Sequence, residues 1–326
     1  MTYSMPVPKG PSGAGNSLTH LPTGESIYEI IDPRFGVCID LVAQLERLYT
    51  GCRWAEGPVY FADQHSLLFS DIPNERMLRY DESSGDVSLF RAGSGNANGN
   101  TRDRQGRLIT CEQGRGRLTR TEPDGSITVL ADSYRGRRFN SPNDVIVKSD
   151  DTIWFSDPSY GRETSFVGVP RERELPSDNV YRLVPETGEL TIVAEDFAKP
   201  NGLAFSPDET TLYVADSGWL PDPEGPRHIR RFSVHDDGTL SGGEVLVEVA
   251  PGIPDGFRVD DAGRLWIGAG DGVHCVSPEG DLLGKIRVPE AAANLTFGGP
   301  ERNRLYITAT TSLYAIFLNV TGIQRP

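Results

Sequence analysis

Chemistry that depends on sulfur or imidazole has little to draw on in this chain. Only four cysteines occur in 326 residues, Cys38, Cys52, Cys111 and Cys275, and no two form a C-x-x-C pair. Neither a zinc site nor a redox dithiol is therefore indicated. Reduced, buried thiols are the expectation for a cytoplasmic chain, with a Cys38–Cys52 bridge left open as the alternative. The five histidines, His20, His65, His228, His235 and His274, follow no metal-ligand spacing and read as surface or satisfied core residues. There is no G-x-S-x-G elbow for a serine nucleophile. No run of about 18 apolar residues appears, and no basic segment leads into an apolar one, so neither a membrane span nor a signal peptide is indicated and the expected location is the cytoplasm. Cations are outnumbered as well: 32 Lys and Arg face 46 Asp and Glu, a net charge of −14. That balance argues against a nucleic-acid partner, whose phosphates need a basic surface.

What is present is repetition. The phrase Lys199-Pro-Asn-Gly-Leu-Ala-Phe, a polar turn, then Thr211-Leu-Tyr-Val-Ala-Asp216 reads as a polar anchor, a strand, a turn, a second strand and an acid at its end. Its other copies begin at Glu56, Asn98, Asn143, Asp255 and Asn294. A period of roughly 40–50 residues with strands in every unit points to an all-β, six-bladed β-propeller. The 36 Gly and 24 Pro suit short strands and tight turns. We expect residues 1–25 to form a mobile arm and residues 26–326 a single propeller. The segment 44–49 would supply the missing outer strand of the last blade, and residues 26–40 read either as that approach or as a partly helical piece packed outside. Extra residues at 158–178 and 218–227 lie between second and third strands, and would cover one mouth of the channel.

The innermost strand of each blade starts at that mouth, so the six anchors should ring it. An isolated Asn-Gly is usually a turn. Here the anchor type runs Glu, Asn, Asn, Asn, Asp, Asn, and a turn requirement does not select Glu. Oxygen-only donors at the axis of a ring describe a hard-cation site, Ca²⁺ first, with Mg²⁺, Mn²⁺ or Zn²⁺ left open. The strand-end acids Asp71, Glu112, Asp157 and Asp216 should sit slightly farther out. Asn98, Asn294, Glu112, Asp157 and Asp216 are placed to meet substrate hydroxyls, and Tyr160 and Trp219 to wall the pocket. For Asp71 and Asp216, holding the blade edge is an equal alternative.

Four motifs in order, Trp54-Ala-Glu-Gly-Pro58, Arg138-Phe-Asn-Ser-Pro-Asn-Asp144, Lys199-Pro-Asn-Gly-Leu203 and Ile253-Pro-Asp-Gly-Phe257, resemble the gluconolactonase / regucalcin (SMP-30) / lactone hydrolase family. The resemblance runs from Trp54 to the C-terminus. It implies a six-bladed propeller with a central-channel metal site that opens sugar lactones. By motif position it implies metal ligands Glu56, Asn143, Asn201 and Asp255, a general base at Asp255, and substrate contacts at Arg138, Asn140 and Asp157. The expected function is thus a metal-dependent lactonase acting on a small-molecule, gluconolactone-like substrate, as a monomer or homodimer without membrane or nucleic-acid partners. A phosphotriesterase on the same ligands, or a non-enzymatic calcium-binding or scaffold propeller, are the alternatives.

Overall fold

Short apolar runs broken by Gly-, Pro- and Asp-rich turns can bury both faces only by stacking sheet on sheet. In the computed structural model they do so as six four-stranded antiparallel blades, with residues 17–18, 26–220 and 222–324 described. From the inside outward, blade one is Ala55–Phe61, Ser66–Asp71, Arg76–Asp81 and Val87–Ala92. Blade two is Ala97–Arg102, Leu108–Glu112, Arg117–Thr121 and Ile127–Ala131. Blade three is Val145–Val147, Ile153–Asp157, Asp178–Val184 and Glu189–Phe197. Blade four is Pro200–Phe205, Thr211–Asp216, His228–Val234 and Leu240–Glu248. Blade five is Phe257–Val259, Leu265–Ala269, Gly272–Val276 and Leu282–Arg287.

Blade six joins the two ends of the chain. Its inner strands Ala292–Gly298, Arg304–Ala309 and Ser312–Phe317 are completed by Glu46–Thr50, with Ser312 opposite Thr50 and Leu313 opposite Tyr49. Closing the ring this way gives blade six its fourth strand and ties the start of the propeller to its end. The expected arm, residues 1–25, lies outside the described residues except for Ser17–Leu18, which pairs with Arg47 and Glu46. The approach segment adds Tyr28–Ile30 to the outer edge of blade five and then turns through a short 3₁₀ helix, Pro33–Val37, capped by Asp32 accepting from Arg34 N at 2.8 Å. Buried Phe35 from that helix lies 6.1 Å from Trp266, so the segment is packed as part of the outer wall.

The core is divided among the blade interfaces. Trp154 meets Phe205 edge-on at 5.4 Å between blades three and four, and Trp266 meets Phe297 at 6.2 Å between blades five and six. Inner strands are buried along their length, whereas the outermost strands of blades one and two expose Leu89, Phe90, Ile127 and Val129. All four cysteines are buried and unbridged. Among the described residues no helix is long and apolar enough to cross a membrane.

Candidate functional site

The backbone at the anchors is built to turn side chains toward the axis. In four blades the inner strand loses register at the anchor, between Glu56 and Val59, Ala97 and Asn100, Pro200 and Leu203, and Ala292 and Asn294. In blades three and five the strand proper begins at Val145 and Phe257, two residues after Asn143 and Asp255. Such bulges re-aim a side chain and end regular pairing. Contrary to the turn reading of an isolated Asn-Gly, Asn98-Gly99 and Asn201-Gly202 lie inside strands, and neither glycine has positive φ. Their glycines serve close approach instead. A Cβ at Gly99 would sit far inside contact with the Asn143 carbonyl, and one at Gly202 with that of Asp255. Gly202→Ala should therefore force two inner strands apart and cost about 1–3 kcal/mol, measured by denaturant melts. An unchanged midpoint would show that the blades are not packed at this limit.

The ring side chains are oriented by their neighbours. Glu56, Asn98, Asn143, Asn201 and Asn294 are all buried, while Asp255 is partly open. Glu56 Oε2 accepts from Gly57 N at 2.8 Å and from Asn294 Nδ2 at 3.1 Å, and Asn294 Oδ1 accepts from Leu295 N. Asn294 thus spends both ends of its amide on positioning. Asn98 Nδ2 donates to Gln113 Oε1 at 2.9 Å, Asn143 Nδ2 to the same oxygen at 3.5 Å, and Asn201 Nδ2 to Ser217 Oγ at 3.2 Å. With their nitrogens engaged, these three asparagines keep their amide oxygens as the free ends, and Asn98 Oδ1 is buried with no partner. Beside the ring, Asp144 Oδ2 pairs with Arg258 Nη1 at 3.3 Å, each side chain 2% exposed. Glu56, Asp255 and Asp144 against Arg258 leave two negative charges in this buried space.

That imbalance shows in the acids. Burial first, then the Asp255 and Asp144 carboxylates, hold Glu56 well above the usual carboxylate range. Asp255 is pushed up to about 7 by burial, with Asp144 adding to the rise and a hydrogen bond from Asn201 opposing it. Among the described residues no cluster of three His, Cys, Asp or Glu side chains could hold a metal. The donor set here is the Glu56 and Asp255 carboxylates with the amide oxygens of Asn143 and Asn201, whose nitrogens are engaged elsewhere, which suits a hard divalent cation and no soft one.

A family model for the SMP-30/Gluconolactonase/LRE-like region matches residues 54–311. The chain belongs to this family. A gluconolactonase of Zymomonas mobilis subsp. mobilis is 29% identical over 337 residues, covering 95% of this chain and 92% of its own. A pentonolactonase of Haloferax volcanii is 33% identical over 273 residues, covering 79% and 82%. Among solved structures, a gluconolactonase from Xanthomonas campestris is 39% identical with a TM-score of 0.83, covering 89% of this chain and 94% of that one.

Within this SMP-30/gluconolactonase-type propeller the strand-end acids have partners inside the fold. Asp157 is fully buried and accepts from Asn140 N at 2.9 Å and Ser141 N at 2.7 Å. Asp216 accepts from Lys199 N at 2.9 Å and Ala198 N at 3.0 Å, and Asp71 from Arg53 N at 2.9 Å. Each acid pins the loop that leads into its own blade's inner strand, so in three blades it fixes where the anchor sits. Glu112 instead pairs with Arg117 at 2.8 Å and Arg115 at 3.1 Å. Asn140 gives its nitrogens to Asp157 and Ser177, with Oδ1 buried and unpartnered. Arg138 is exposed and donates to the Arg115 carbonyl, while Arg171 reaches the carbonyls of Phe139 and Asn140. Of the seven residues expected to contact substrate, Asn98 and Asn294 belong to the ring, and Asn294 has both ends of its amide engaged there; Glu112, Asp157 and Asp216 have internal partners.

The first insertion reaches across to other blades. It carries a short helix, Tyr160–Glu163, whose Glu163 meets Lys199 at 3.0 Å and whose Tyr160 hydroxyl donates to the Ser217 carbonyl at 3.0 Å. Phe166 from the same loop lies 5.2 Å from the Arg53 guanidinium. A loop rooted in blade three therefore touches blades one and four. Trp219, on the second insertion, lies beneath the Arg227 guanidinium at 5.8 Å. Gln113, Ser217, Asp144 and Arg258 were not singled out from the sequence. Their sole signal was position, beside an anchor or beside a strand-end acid.

Proposed function

We propose that the protein is a metal-dependent lactonase that hydrolyses a gluconolactone-like sugar lactone to the open aldonic acid. The lactone-hydrolase assignment is supported by the gluconolactonase and pentonolactonase relatives, each matched over most of its length. The metal assignment is supported by one observation: an oxygen-donor ring in which, among the described residues, Glu56, Asp255 and neighbouring Asp144 have Arg258 as the one paired cation, so that ionising all three acids leaves two negative charges for a divalent ion to balance. Glu56, Asn143, Asn201 and Asp255 would hold the ion, with Ca²⁺ favoured by the donor chemistry. When bound, a divalent cation polarises a carbonyl oxygen as a Lewis acid.

The chain's own residues supply the rest. Asp255 is the partly open ring carboxylate and is the group we assign to accept a proton from the attacking water. The water oxygen bonds to the lactone carbonyl carbon, the ring C–O bond breaks, and the proton held on Asp255 passes to the departing ring oxygen. The products are a carboxyl and an alcohol in one open chain. The unpartnered Asn98 Oδ1 is available to a sugar hydroxyl, and the first insertion, anchored on Gln113, Ser217 and Arg53, borders the ring.

The test is hydrolysis of five- and six-membered lactones followed by pH-stat, with chelator and after return of Ca²⁺, Mg²⁺, Mn²⁺ or Zn²⁺. We expect sugar lactones to be opened, activity to vanish in chelator, and Ca²⁺ to restore it. Full activity in chelator would refute the metal reading, and inertness toward every lactone the substrate reading.

A further inference from the structure

Gln113 has no role in the chemistry above, yet it is 1% exposed and every polar atom of its side chain is used. Its Nε2 donates to the carbonyl of Val167, in the inserted loop, at 2.7 Å. Its Oε1 accepts from Asn98 at 2.9 Å and from Asn143 at 3.5 Å. These bonds have a direction. A backbone carbonyl can only accept, so Val167 obliges Gln113 to present its nitrogen to the loop and its oxygen to the ring. That oxygen in turn obliges both asparagines to turn their nitrogens outward and leave their oxygens free.

We propose that Gln113 is a positioning residue that couples the seating of the inserted loop to the orientation of the ring amides Asn98 and Asn143. Its bearing on metal affinity rests on the metal reading given above; its hold on the loop does not. Other side chains fail on chemistry. A carboxylate has no donor for Val167, an aliphatic chain has neither donor nor acceptor, and asparagine is one methylene short of spanning both. The loop is also shaped to Gln113: Gly161 packs against its aliphatic stem so closely that a Cβ would clash, while Gly161 N donates to Ser141 Oγ at 2.9 Å. Beyond this seat the tip is exposed, with Phe166 41% accessible. If the loop lifts, the carbonyl that fixes Gln113 leaves, and both asparagines are released to turn nitrogens toward the axis. A closed loop and a ring of oxygens thus go together.

Two substitutions separate the two halves. Gln113→Glu keeps an acceptor for Asn98 and Asn143 but removes the donor to Val167. Gln113→Met removes both. Loop seating is read by the rate of chymotrypsin cleavage at Phe166 in the intact protein, and ring orientation by calorimetric titration with CaCl₂. We expect both variants to be cut about tenfold faster than the native chain, as for a loop that has lost its anchoring contacts. Gln113→Glu should bind Ca²⁺ at least as tightly as native, whereas Gln113→Met should lose about 10–100-fold, the range for residues that orient metal ligands. Native-like protection of the loop in Gln113→Glu, or undiminished Ca²⁺ affinity in Gln113→Met, would overturn the coupling. Should Gln113→Met lose its cooperative melt, cleavage and titration of Gln113→Glu decide. If the native protein itself binds no divalent ion, the metal reading fails, and the cleavage rates alone decide the loop half.

Discussion

Asp255→Asn should leave a folded protein that still binds a divalent ion but turns over lactone about 10²–10⁴ times more slowly, the span associated with loss of a positioned general base. The substitution keeps the shape and one oxygen donor of the residue. What disappears is the ability to take a proton. Asp255 is the ring carboxylate open to the mouth, and burial together with the Asp144 carboxylate pushes it up to about 7. The same shift has a sign in stability. A carboxyl whose folded-state value lies above its unfolded value contributes stability that is fully present below the unfolded value and is lost as pH rises through the folded value. In chelator, the native melting temperature should therefore fall between about pH 4 and pH 7, and the Asp255→Asn variant should show a shallower fall. Calorimetry, melting curves and kcat at saturating metal give all three readings. A variant that keeps its ion and retains kcat within a few-fold would remove Asp255 from the chemistry and send the search for a base elsewhere.

The blades were legible because every copy repeats one instruction, anchor, apolar strand, turn, apolar strand, with an acid closing it in four of the six. The closing strand was legible from an absence, since a sixth unit ending at Phe317 had no partner for its edge until Glu46–Thr50 supplied one. Local rules went astray where neighbouring blades meet. Asn201-Gly202 satisfies the chemistry of a turn, yet the glycine is there because the Asp255 carbonyl of the next blade occupies the space a side chain would need. Sequence patterns within a unit carry no information on that gap. The internal partners of the strand-end acids have a related cause, and at Asp216 they match the edge-holding alternative. Asp157 and Asp216 end their strands beside two free backbone N–H groups of the preceding loop, and a buried carboxylate takes such donors ahead of a ligand. Gln113 and Arg258 were out of reach altogether. Each acts across blades, on Asn143 and on Asp144, and such pairings follow from closure of the ring rather than from spacing along the chain.

Asn143→Asp tests the charge of the ring with almost no change in shape. The native site has Glu56, Asp255 and Asp144 against Arg258, two negative charges that match a divalent cation. A third carboxylate in the ring leaves an uncompensated charge once the ion is bound. Ion affinity should hold or rise, because ligand charge is one of the levers that tightens calcium sites. Turnover should fall by about 10²–10³, comparable to the loss of one group that stabilises a developing oxyanion, because the negative charge of the reaction now forms beside an extra one. Gln113 sharpens the expectation. Its Oε1, which accepted from Asn143 Nδ2, would face a carboxylate oxygen, and it cannot turn around without setting its oxygen against the Val167 carbonyl. Part of the loss should therefore appear as a loosened loop, visible as faster cleavage at Phe166 in the metal-free variant. Calorimetric titration and kcat at saturating ion separate the effects. If affinity is retained and kcat is unchanged, electrostatic stabilisation at this ring is not the source of catalysis, and a propeller that binds calcium without turning over a substrate becomes the better account of these six anchors.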